Sequence, residues 1–396
     1  EEVGRCAGHE RSVFHIAYSP DGKCFYSVDV DTVRKWDAAT GELKRTMEVP
    51  EGSSWAVSVA VSPDGELVLT GHAQGRLSLW NAETGELVRQ WEPHKHRVDC
   101  VGFTPDGKYA VSACATHFAE GDAGPVKVYR TSDWETANEF HIGNGGDVYG
   151  FALHPDSRHM LLSVVGPLQL RNLETGDLIR TLDDGPGTQR RGVDIDASGR
   201  WAVTGSNNTR LVLWDLATGR QVRRFHGHGR NGPQISGGGI IARCAFVPGT
   251  NWIVSSGWDR TLRLWDRDTG IEIARDTADS QSNQHAAVSP DGQHVVTGGG
   301  NAKVASGKYE DDGDFELRIW RLPDVEAGIG DPHAEAEELD DLLPSELGLN
   351  LPSLVEALRP EVIVNVRDDG SIVVAGEEYT LEQVAKHVKQ AHVNEP

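Results

Sequence analysis

Residues 62–85, SPDGELVLTGHAQGRLSLWNAETG, decide the fold. Ser62-Pro63-Asp64-Gly65 is a tight turn, because Pro fixes φ at one turn position and Asp-Gly supplies the next bend. Trp80-Asn81 ends a strand, and Thr84-Gly85 makes a second hairpin turn. Both markers recur along the chain. Relatives of the first turn start at Ser19, Thr104, His154, Asp196, Val247 and Ser289. The Trp-Asp marker stands at Trp36-Asp37, Trp214-Asp215 and Trp265-Asp266, with degenerate copies at Tyr129-Arg130, Arg171-Asn172 and Trp320-Arg321. Their spacings are 44, 49, 42, 43, 51 and 55 residues. A period of that length is the mark of a repeat architecture.

Each unit holds four short strands, a to d, joined by hairpins. In strand a the residues four and two before the turn Pro are apolar, as in Ile16/Tyr18, Val59/Val61, Val101/Phe103 and Ala286/Val288. That period of two marks one buried face. Strand c alternates in the same way, as in Leu262-Arg263-Leu264-Trp265.

These three markers in register resemble the WD-repeat β-propellers over residues 1–324. The resemblance implies an all-β, seven-bladed ring around a central channel. No strand d follows Trp320, whereas Glu2 to Ala7 precedes the first unit. The N-terminal segment is therefore expected to supply the last strand and remove an open sheet edge. The resemblance also implies a structural His–Ser/Thr–Asp–Trp tetrad inside a blade. Its members would be His9, Ser27, Asp31 and Trp36 in blade one, and His228, Ser255, Asp259 and Trp265 in blade six.

The chain has 396 residues and a formal charge of −22. So acidic a balance argues against nucleic acid and anionic membrane as partners. No run of 18 apolar residues is present, so no membrane insertion by a helix is expected. The five Cys show no C-x-x-C spacing. No G-x-S-x-G, H-E-x-x-H or G-x-x-x-x-G-K-[ST] pattern is present, so the chain is read as a non-enzyme. No cofactor or metal is expected. His94/His96 and His226/His228 lie in d–a loops and are read as solvated or capping histidines rather than as a metal site. The acidic run from Glu310 to Asp314 lacks the spacing of a calcium loop.

The a–b and c–d turns are short, and the insertions fall in the b–c and d–a loops, which share the other, top face. They are residues 114–124, 226–239 and 298–313. Loops gathered on one face of a rigid scaffold read as a binding surface. His117, Phe118 and Glu120, then His226, His228, Arg230 and Asn231, then Lys308, Tyr309 and Asp311 are the candidate contacts for a protein or peptide partner. The rival reading is an enzyme or small-ligand binder using the channel.

Residues 325–360 form an acidic, Pro-punctuated linker with nine acids and one base. Residues 361–396 read as a β-β-α unit: strands around Val362–Val366 and Ile372–Ala375, an Asp369-Gly370 turn, and a helix opened by Thr380 and Gln383. The stretch PEVIVNVRDDGSIVVAGEEYTLEQVAKHVKQA resembles the start of the periplasmic domain of ExbD/TolR-type biopolymer-transport proteins. A unit this small is expected to dock or to form a homodimer. The compartment is left between cytoplasm and periplasm, and an envelope or transport-complex component is a further alternative.

Overall fold

The computed structural model describes residues 1–50, 54–114, 125–142, 148–164, 166–183, 190–229, 240–277, 283–299, 302–305, 308–311, 315–323, 364–366, 372–374 and 377–379. The chain divides into two compact units, Glu1–Leu322 and Pro323–Pro396.

In the first unit, seven antiparallel four-stranded sheets follow one another. Blade one runs a to d as His15–Tyr18, Cys24–Val28, Thr32–Asp37 and Leu43–Glu48. Strand a of the next six blades is Ala56–Val61, Cys100–Phe103, Val148–Leu153, Arg190–Ile195, Ile241–Phe246 and Asn283–Val288. Each strand a contacts the strand a of the next blade, and that of blade seven returns to that of blade one. The ring is therefore closed around a channel lined by seven innermost strands.

Local chemistry sets the hairpins. In the a–b turn of blade one, Ser19 Oγ donates to Asp21 Oδ1 (2.6 Å) and accepts from the Cys24 amide (3.0 Å). Gly22 takes φ +70°, a left-handed conformation that costs a side-chain-bearing residue energy. The Asp of Trp-Asp caps the c–d turn: Asp37 Oδ1 accepts from Ala39 N, Thr40 N and Thr40 Oγ1. Asp215 and Asp266 repeat this on Thr218 and Thr269.

Packing joins the blades pairwise. Tyr26, Val28, Val33 and Met47 of blade one close on Val59, Val68 and Trp80 of blade two. Among the described residues, seven such clusters occur, one for each boundary between neighbouring blades. Trp36, Trp214 and Trp265 are wholly buried in them.

The last sheet is completed from the other end of the chain. Glu2–Cys6 pairs antiparallel with Leu317–Arg321, with Cys6 opposite Leu317 and Glu2 opposite Trp320. The Arg321 amide donates to Glu1 O at 2.8 Å. Blade seven also carries an extra hairpin between its strands b and c, Ala302–Ala305 paired with Lys308–Asp311.

The second unit contains three short antiparallel strands, Val364–Val366, Ile372–Val374 and Glu377–Tyr379. The first two fall within the strands expected. The third was not expected: it pairs with the second, with Val374 opposite Glu377, where a path into the helix was read. The expected helix and the acidic linker lie outside the described residues.

Removing residues 1–6 is expected to expose the Leu317–Arg321 edge and uncover Cys6's apolar neighbours. We expect the melting temperature to fall by roughly 5 °C or more and concentration-dependent association to appear in light scattering. An unchanged melting curve would show that the strand does not close the ring.

Candidate functional site

The residues singled out from sequence separate into a structural set and a surface set. In blade one, Trp36 Nε1 donates to Ser27 Oγ (2.8 Å), and Ser27 Oγ lies 2.6 Å from His9 Nε2. His9 Nδ1 lies 2.6 Å from Asp29 Oδ2. The acid is thus Asp29, not Asp31. Asp31 is exposed and only approaches Arg11 at 3.9 Å. The reason is local: Asp29 Oδ1 also accepts from Thr32 N and Oγ1, which turns its other oxygen under His9. Blade six holds the same chain of bonds. Trp265 Nε1 donates to Ser255 (2.8 Å), Ser255 lies 2.7 Å from His228 Nε2, and His228 Nδ1 lies 2.9 Å from Asp259 Oδ2.

Partial versions occur where the sequence pattern seemed to fail. His94 Nε2 reaches Ser112 Oγ at 2.6 Å, and Ser112 reaches the Tyr129 hydroxyl at 3.3 Å, so Tyr stands in for Trp in blade three. His72 Nε2 lies 3.0 Å from Ser78 Oγ, while Trp80 donates to Thr70. In blades five and seven Trp214 and Trp320 keep only their bonds to Thr204 and Thr297. His94 was read as a loop histidine. It is instead buried, as part of this inner network.

His228 was also proposed as a partner contact. It is buried at 6% exposure and held by Ser255 and Asp259, so it is not available to a partner. His226 is exposed. Lys308, Tyr309 and Asp311 lie on the second strand of the blade-seven hairpin. His117, Phe118, Glu120, Arg230 and Asn231 fall outside the described residues.

One described trio has the spacing of metal ligands. His154, Asp156 and His159 place their donor atoms within 4.8 Å of one another. The trio is the a–b turn of blade four, with His154 where four of the other six turns carry Ser or Thr. Its atoms already have partners: His154 Nε2 donates to Gly199 O (3.0 Å), Nδ1 accepts from Asp156 N (3.2 Å), and Asp156 Oδ2 meets His159 Nδ1 (2.6 Å). It serves as a turn cap.

The channel holds chemistry that the sequence reading passed over. A cavity of about 220 Å³ is lined by His15, Cys100, Phe151, Asp194, Arg243, Cys244 and His285, among others. These positions have a simple register. Five residues before each turn Pro or its equivalent stand His15, Ser58, Cys100, Gly150, Gly192, Arg243 and His285. Three residues before it stand Ala17, Ala60, Gly102, Ala152, Asp194, Ala245 and Ala287. The second ring is small because neighbouring blades converge there: a Cβ on Gly102 would sit 2.9 Å from Phe151. Asp194 is its outlier.

Most of the polar channel groups stitch blades together. Asp194 Oδ2 accepts from the Phe246 amide at 2.9 Å, and burial pushes its pKa up to about 6 despite that bond. His285 Nδ1 accepts from the Ile16 amide at 3.2 Å, and its ring lies 4.0 Å from that of His15. Burial holds both histidines well below the usual range, hence neutral. It also pushes the Cys100 thiol up to about 12, so neither cavity nor thiol offers a ready nucleophile.

Comparison with known proteins supports the WD-repeat reading. The family model "WD domain, G-beta repeat" matches residues 1–37 and 219–266, and "Anaphase-promoting complex subunit 4 WD40 domain" matches 45–106. With the closed seven-sheet ring, that is decisive. This chain is a WD-repeat β-propeller. Among its relatives is eukaryotic translation initiation factor 3 subunit I of Candida albicans, 26% identical over 79% of each chain. The proteins of the same name from Debaryomyces hansenii (27%, 79% of each chain) and Emericella nidulans (26%, 79% of this chain and 80% of the relative) are similar to the same extent. The WD-repeat propeller and these relatives place the chain among non-catalytic interaction scaffolds rather than enzymes. The periplasmic alternative is overturned by relatives that are eukaryotic translation initiation factor subunits. The transport-type resemblance of the C-terminal stretch has no counterpart among the family matches, which fall at 1–37, 45–106 and 219–266.

Two measurements test this inner network. Ser255→Ala removes the shared partner of Trp265 and His228. We expect a loss of about 2–4 kcal/mol in urea unfolding, from two stranded buried groups, against less than about 0.5 kcal/mol for Ala at exposed Ser132. The second concerns acid. Burial, helped by the Lys127 charge, pushes His94 down to about 3, and burial pushes His72 down to about 4. Both titrate near pH 6.5 once unfolded, so the unfolded chain binds more protons below that pH. Their stabilising contribution is full above about pH 6.5 and drains away as pH falls. In His94→Asn, stability between pH 6.5 and 4.5 should fall less steeply by about one proton, or ~1.4 kcal/mol per pH unit. An unaltered slope would refute the assignment of His94 as a buried neutral group.

Proposed function

We propose that this propeller works as a subunit of a multi-protein assembly of the translation-initiation type, holding a protein partner on the face that carries the long b–c and d–a loops. The observation that supports the face is the distribution of chain length. All three insertions, at 114–124, 226–239 and 298–313, fall in connections of one face, while the opposite turns stay four-residue caps. The similarity to initiation-factor subunits supports the kind of assembly. Phe118, Arg230 and Tyr309 supply the residue types that anchor interfaces. The C-terminal unit, with strands of three residues each, is too small to stand alone and is read as a docking or pairing module.

The test is capture with the full chain as bait from a eukaryotic extract, with bound proteins identified by mass spectrometry. Initiation-factor subunits should be recovered. Replacing 230–239 and 300–313, which spares the buried His228 and strand His294–Gly299, by short turns should reduce recovery tenfold or more while the melting temperature stays within about 3 °C. Full recovery with both loops replaced would move the partner to another face.

A further inference from the structure

Arg243 has no structural task that the rest of the channel would need. It is the third residue of its blade's innermost strand, and it lines the 220 Å³ cavity. The other polar groups of that lining are accounted for: Asp194 holds the Phe246 amide, and His285 holds the Ile16 amide. Cys244 Sγ reaches Val203 O at 3.6 Å. Among the described residues, no hydrogen bond or ion pair holds the Arg243 guanidinium. Half-buried in the channel wall and unpaired, this guanidinium has its N–H donors free for a ligand.

Its surroundings point the same way. Arg191 and Arg97 lie within electrostatic reach of this centre, and of the two only Arg97 has a carboxylate, Asp99 at 2.9 Å. The Arg191 guanidinium sits 5.5 Å from the Trp258 ring, held over an aromatic face rather than on an acid. His15 Nδ1 is buried without a partner among the described residues. Three cations stand here against two carboxylates, Asp99 and the Asp194 of the cavity lining, in a chain whose total charge is −22. A positive patch in a low-dielectric channel concentrates anions there. The cavity is well below the 300–1,000 Å³ of drug-sized pockets, so it suits one small oxyanion and not a nucleotide.

We propose that the upper channel is an oxyanion pocket, in which Arg243 grips a phosphate or carboxylate group with His15 beside it and Arg191 nearby. The group comes either as free phosphate or on an acidic side chain of a polypeptide threaded into the channel. A planar guanidinium suits both, since it offers parallel N–H donors to two oxygens. The pocket is built by the innermost strands alone, so it stands whether or not the long loops hold the partner.

The full chain is titrated calorimetrically at constant ionic strength with inorganic phosphate and, separately, with hexaglutamate. One-site saturable binding of either probe is expected. It should weaken tenfold or more in Arg243→Gln and stay within twofold in Arg223→Gln, an arginine bound to Thr269 O and Asp268 O on the propeller's exposed surface. Binding of phosphate identifies a free anion; binding of hexaglutamate alone identifies a peptide carboxylate. If Arg243→Gln does not fold, His15→Phe takes its place, with the same tenfold loss expected. Failure of both probes to bind the wild-type chain overturns the proposal. So does equal binding by the channel variant.

Discussion

Tyr26, Val33 and Met47 press against Val59, Val68 and Trp80, and an equivalent apolar contact is made at every boundary between blades. The rest of the molecule depends on that contact. A four-stranded sheet with two apolar faces cannot stand in water, because each face needs a partner. In a closed ring every sheet has two neighbours, so no face is left over. The alternation within strands, the small residues of the inner ring and the short lower turns all serve to let one sheet lie flat on the next.

A second layer of order sits inside the first. Ser27 and Ser255 each join a Trp, a His and through it an Asp in a fully buried line. Such lines tie strand c to strand b and to the loop that enters the blade. Satisfied networks of this kind fix one arrangement among several apolar ones. The blades that carry the whole line are one and six. The remainder keep the Trp-to-hydroxyl bond or lose it, as blade four does by placing Leu162 where the hydroxyl would be.

The ring, its blade count and its closing strand were legible from sequence, because turn chemistry and period-two patterning are local and repeat seven times. Tetrad membership was legible to the residue in blade six. In blade one it failed by two positions, since two aspartates flank the same turn and only the Thr32 contacts decide between Asp29 and Asp31. His94 was misplaced because a Tyr in place of the marker Trp hides the network it belongs to. Arg243 was passed over for a different reason. The apolar pair in strand a carries the repeat pattern, whereas the intervening positions, which vary from blade to blade, line the channel. A charged residue in a register otherwise filled by Gly, Ser, Cys and His was visible all along.

The closing strand has a consequence for how the molecule comes into being. Glu1 and Arg321 meet although 320 residues separate them along the chain. That junction is therefore the most non-local contact the ring makes, and its loop-closure entropy must be met before it returns anything. On a ribosome Glu2–Cys6 emerges long before Leu317–Arg321, its partner, and is thus among the last strands of the ring to find its place. Until then blade seven has three strands and an open edge, and Glu2–Cys6 is an unclaimed strand of the right sequence to fill it. Two nascent copies on neighbouring ribosomes would present each other with that same pair. The geometry that seals the mature ring is, during synthesis, an invitation to exchange strands between chains.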